Sequence, residues 1–268
     1  MDQDRETQRR TYQLCRLGFT ILSAALGLAC LTSLLGLALP FLGFRDLARA
    51  IFSSKLFLWI DAPIVWGCLI GAYLLWGRWT QASWQRRAGL LVLMGLVDIV
   101  LWLFKNGEMI GLRLDEVGHE WFRSHLGEAL GWAEFALTAS LAGDLLVHLG
   151  VAQAPEAARS TRSLAATGAV VWMLLFVQET DWKKGWPLQG AHDLNIEGFL
   201  LSLGWNLIWT IALIQTTALT ITAARQTGRV LAEMDEEDRE DNLFGSPSDT
   251  GADLLPTPYD PYDPRNVR

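Results

Sequence analysis

The chain has 268 residues, 51% hydrophobic and 19% charged, with a formal net charge of −7. Three cysteines do not suit a disulfide-stapled secreted domain, and the acidic balance speaks against a nucleic-acid partner. Residues 17–44 and 198–224 run for 28 and 27 positions without a charge, whereas a bilayer-spanning helix needs about 20 apolar residues. The lipid bilayer is therefore the first expected partner.

Sixteen mostly polar residues precede the first apolar run. That run is too long for the core of a signal peptide and reads as a retained first span, 17–44. A second span, 56–77, contains one charge, Asp61, and a third, 88–104, contains Asp98. The fourth, 129–151, carries Glu134, Asp144 and His148 and is the least hydrophobic. The fifth, 163–178, is short, and the sixth is 198–224. The expected fold is thus an all-α integral membrane protein with six transmembrane helices.

Lys and Arg outside the spans set orientation. Eleven fall on the side of the N-terminal segment and eight on the other, which places both termini in the cytoplasm of a protein in the cell membrane (plasma or inner). Residues 1–16 are then a cytoplasmic segment and 17–229 the six-helix domain. From residue 230 the composition changes: the last 39 residues hold eleven acids, three arginines and five of the nine prolines. Such a segment buries too little to offset ordering entropy, so 230–268 is expected to be a disordered acidic tail. Its first part, Met234–Asp241, is also able to extend the sixth span as a solvated helix. A cytosolic protein docking on the tail is one expectation, and a solvated terminus without a ligand the plainer one.

Tryptophan supports the membrane reading, since indoles favour the headgroup boundary. Of the 13, Trp76, Trp84 and Trp132 are among those near predicted span ends, whereas Trp66, Trp172, Trp205 and Trp209 lie deeper and read as packing residues. Small residues spaced by four, Ser23 with Gly27 and Gly67 with Gly71, let two helix backbones approach closely.

Ionisable groups at bilayer depth are costly unless paired, neutralised or wetted. At ~1.5 Å rise per residue from the cytoplasmic end of each span, His148 lies ~5 Å up, Asp144 ~10 Å, Asp98 ~15 Å, Asp61 ~22 Å and Glu134 ~25 Å. Glu134, Asp144 and His148 fall within an arc of about 80° on one helix, with Asp98 on the preceding span within reach of Asp144. One reading is a proton or cation path along these five groups. The other is a central helix whose polar groups pair with Asn206, Gln215 or Tyr73 to fix packing.

In the third loop, Leu114, Val117, Trp121 and Phe122 recur near helical spacing, as in a short extracytoplasmic amphipathic helix. Glu116, His119 and Glu120 share a face there, a geometry that metal ions accept, and His192 on the same side adds a ligand. Six residues rather than four separate His119 from His125, so this is not the His-Glu-x-x-His of metalloproteases. A solvated face is the plainer reading. The chain has no phosphate-binding glycine loop, Gly-x-Ser-x-Gly or Cys-x-x-Cys, so neither a cofactor nor an enzymatic reaction is expected. Three functions follow in order: a non-enzymatic membrane component acting through its helices or tail, a proton- or cation-coupled transporter, and an extracytoplasmic metal site.

Overall fold

The computed structural model describes residues 2–52, 55–77, 82–106, 120–181, 186–187 and 196–244. Six long helices and one short one account for nearly all of them. These are α1 (Asp2–Phe41), α2 (Arg45–Phe52), α3 (Lys55–Leu75), α4 (Ala82–Asn106), α5 (Glu120–His148), α6 (Ala154–Glu179) and α7 (Ile196–Phe244). Between α6 and α7 a two-residue antiparallel pair, β1 (Thr180–Asp181) with β2 (Trp186–Pro187), is the one departure from all-α.

Four helices are long and apolar enough to cross a membrane among the described residues. The segments are Arg5–Leu39 of α1, Ala82–Phe104 of α4, Leu126–His148 of α5 and Gly204–Glu240 of α7, while the apolar stretch Trp59–Leu75 of α3 is shorter. Helix α6, which contains the fifth expected span, is not among them because its first half carries Glu156, Arg159 and Arg162. The short amphipathic α2 was not foreseen. The acidic run Met234–Asp241 is helical, being the end of α7. Only 245–268 of the expected disordered tail, together with loop residues 107–119, lies outside the described residues.

The helices pack in sequence, α1 on α3, α3 on α4, α4 on α5 and α5 on α6. Glycines in the left-handed region follow three of them: Gly43 (φ 85°) after α1, Gly77 (φ 70°) after α3 and Gly150 (φ 76°) after α5. After α1 and α5 the next amide closes back five residues, Phe44 N to Leu39 O and Val151 N to Leu146 O, each 2.9 Å. That bond satisfies a carbonyl that helix termination would otherwise leave bare. Helix α7 meets α1 through the Ser33–Thr210 hydroxyl pair (2.9 Å) and α6 through Thr161 Oγ1 donating to Gln215 Oε1 (3.2 Å). Its buried threonines donate to their own helix, Thr216 to the Ala212 carbonyl and Thr227 to the Ala223 carbonyl. A hydroxyl without water must find such an acceptor, and the carbonyl four residues back is always within reach.

The α1–α3 seam uses the expected glycines of α3 but different residues of α1. A Cβ on Gly67 would lie 2.9 Å from Ala25 Cβ, and one on Gly71 would lie 2.6 Å from Leu22 Cγ and 2.9 Å from the Gly18 carbonyl. Gly27 has nothing within 4 Å, and Ser23 Oγ donates to the Thr20 carbonyl of its own helix. Gly18, Leu22 and Ala25 follow an i, i+4, i+7 row, and a step of one residue from Leu22 to Ser23 turns about 100° away from it.

Two apolar clusters form the core. One joins the middle of α1 (Phe19, Leu22), the end of α3 (Leu75), the start of α4 (Trp84, Leu91) and the end of α5 (Leu141, Leu145). Trp84 is only 1% exposed, and its Nε1 donates to the Leu75 carbonyl at 3.0 Å, capping α3. The second cluster, further along the bundle, centres on Trp132 and Phe135 of α5 with Leu26, Ala165, Ala212 and Leu213. Trp84 and Trp132 are therefore core residues rather than boundary anchors, and Trp66, expected to pack, is 45% exposed on the bundle surface.

Candidate functional site

Beyond the first cluster, towards the C-terminal end of α1, the helices separate around a cavity of about 670 Å³. Five helices line it: α1 (Thr32, Ser33), α3 (Asp61, Cys68), α4 (Asp98), α5 (Glu134, Phe135) and α7 (Trp205, Asn206, Trp209). Gly36, Gly127 and Gly131 complete the wall where a side chain would intrude. Three carboxyl groups from three different helices thus face one space. No Lys, Arg or His among the described residues lines it.

The Asp98 and Glu134 carboxyls lie close enough to interact, and Asp61 is close enough to Asp98 to interact with it electrostatically. A carboxylate is an acceptor only, so a hydrogen bond between two carboxyl groups requires a proton on one of them. Three full negative charges in one space would repel strongly: at an effective dielectric of 20, two charges 4 Å apart cost about 4 kcal/mol. Gathering the three in one space is therefore costly unless some of that charge is neutralised.

Part of the lining is aromatic. Trp205 and Trp209 stack with centroids 5.5 Å apart, and Trp132 stands edge-on to Trp209 at 4.9 Å. The rings seat on glycines: a Cβ on Gly131 would lie 2.4 Å from the Trp209 ring, and one on Gly168 of α6 would lie 2.2 Å from the Trp132 ring. These contacts fix the indoles that border the cavity.

The four acids and one histidine expected to form one path divide into two groups. Asp61, Asp98 and Glu134 line the cavity. Asp144 instead forms an ion pair with Arg87 of α4, and His148 Nε2 lies 3.3 Å from the Tyr12 hydroxyl of α1. Both belong to the other end of the bundle. Asp98 finds Glu134 rather than Asp144 as its partner. Of the groups expected to pair with them, Asn206 lines the cavity, Gln215 accepts from Thr161, and Tyr73 is exposed with its ring edge-on to Trp76. Glu116, His119 and His192 lie outside the described residues, as does the side chain of Glu120 at the start of α5. No group of three His, Cys, Asp or Glu side chains among the described residues is placed to hold a metal ion.

Sequence reading missed the hydroxyls of Thr32 and Ser33, the thiol of Cys68 and the aromatic wall. The signal was the height of each polar group: Asp98, Asp61 and Glu134 stood highest, and Asp144 and His148 lowest. Comparison with protein-family models, with curated proteins and with solved structures finds no match, so the functional reading rests on the chemistry of the cavity.

Proposed function

We propose that the chain is a proton- or cation-coupled membrane transporter whose binding site is the Asp61–Asp98–Glu134 cavity. The observation that carries this is the convergence of three carboxyls from three helices on one space with no basic residue in its described lining. Ionisable side chains at membrane depth mark ion and substrate pathways by default. In this reading α3 and α6 also cross the bilayer, giving six spans with both termini in the cytoplasm of a plasma or inner membrane. The cavity then occupies the outer half and the Phe19–Trp84–Leu145 cluster closes the inner half, as an outward-facing state requires. The acidic tail lies in the cytosol.

Purified protein in liposomes tests it. Under an imposed potential, internal pyranine is expected to report proton movement or coupled cation uptake in the unaltered protein. The Asp98→Asn, Glu134→Gln double variant should fall by at least about tenfold, the equivalent of ~1.4 kcal/mol. Flux that persists in a folded double variant removes the proposal. The rival is a non-enzymatic membrane component acting through helix or tail contacts, whose cavity acids only fix packing. It expects no flux in either protein.

A further inference from the structure

We infer that the cavity takes an organic cation, its charge held by the Asp61, Asp98 and Glu134 carboxyls and its apolar body against Phe135, Trp205 and Trp209. This rests on the proposed cation site and specifies its ligand class. Size is the first argument. One water molecule occupies about 30 Å³ of liquid, whereas small-molecule sites run from about 300 to 1,000 Å³. A space of about 670 Å³ falls well inside the second range and far exceeds what protons alone require.

Wall chemistry is the second argument. A proton relay needs only polar groups, yet half of this wall is aliphatic or aromatic: Leu26, Ile64, Val65, Phe135 and the paired indoles. An aromatic ring also attracts a cation. Carboxyls and indoles lining one space therefore suit a molecule with both a positive charge and an apolar body. A bare metal ion suits the cavity poorly, since no three ligating side chains among the described residues are placed around one point.

Tetraphenylphosphonium, with triphenylphosphine oxide as uncharged comparator, tests the assignment by equilibrium dialysis against the purified full-length chain. The cation should bind saturably at about one per chain, and the comparator at least about tenfold more weakly, the equivalent of ~1.4 kcal/mol. Asp98→Asn with Glu134→Gln should remove this preference, and Trp205→Ala should weaken the cation while Trp205→Phe restores part of it. Equal binding of both probes, or none of either, overturns the inference. The charged-against-neutral comparison uses the unaltered chain, so a variant that fails to fold does not blunt it. Carboxyl-dependent proton flux without phosphonium binding sinks the ligand class and leaves the transporter. Saturable, carboxyl-dependent binding without any flux does the reverse.

Discussion

The two ends of the helical bundle treat their carboxylates in opposite ways. At one end Asp144 has Arg87 as a resident partner, and the surrounding helices close on Phe19, Leu75, Trp84 and Leu145. At the other end Asp98 and Glu134 have each other, Asp61 stands nearby, and the helices part around a cavity. The first arrangement neutralises charge within the protein and packs the remainder. The second gathers like charges around open space. A membrane protein built only for structure would be expected to resemble the first end throughout.

The largest effect should separate the ends by packing. Trp84→Ala removes an indole that is 1% exposed and caps α3, so it should destabilise by about 3–5 kcal/mol. Trp205→Ala opens into existing space and should cost much less. Thermal unfolding in detergent measures both, and equal losses would mean that the cavity end is as tightly built as the other. Next comes the α1–α3 seam. Gly71→Leu drives a side chain into Leu22 and the Gly18 carbonyl and should cost about 1–3 kcal/mol by overpacking. Gly27→Leu meets open space and should leave the midpoint nearly unchanged. A reversed order would refute the seam.

The all-helical character and the apolar runs were legible in the sequence because both depend on local composition: an uncharged run of 28 residues has few other uses than lipid. Which acids meet was not legible. Asp98 is closer in height to Asp144 than to Glu134 on a uniform 1.5 Å rise, but the choice of partner depends on rotation, which α4–α5 packing decides. Arg87, counted only as a loop-flanking charge, lies inside α4 and claims Asp144. Ser23 and Gly27 lie off the α1–α3 seam for a related reason. Their spacing was right, but spacing does not say which side of α1 faces α3. Trp84 and Trp132 misled because nearness to a span end is a statement about depth, whereas burial depends on which neighbour stands opposite.

The smallest effect is the most diagnostic, because it turns on sign. Asp144→Asn takes a charge from an ion pair whose carboxyl is 41% exposed, so solvent already screens it and the loss should be less than about 1 kcal/mol. Asp98→Asn takes a charge from a group of like charges, and the amide is able to donate a hydrogen bond to the nearby Glu134. That change should be neutral or raise stability by up to about 1 kcal/mol, as happens where a residue is kept for activity at some expense to stability. Midpoints at one pH in one detergent suffice to compare them. If both amides destabilise alike, Asp98 is a packing partner in the same sense as Asp144, and the cavity end loses its claim to be a site. If they move in opposite directions, the carboxyls around the cavity are held against their own repulsion, which folding alone does not require.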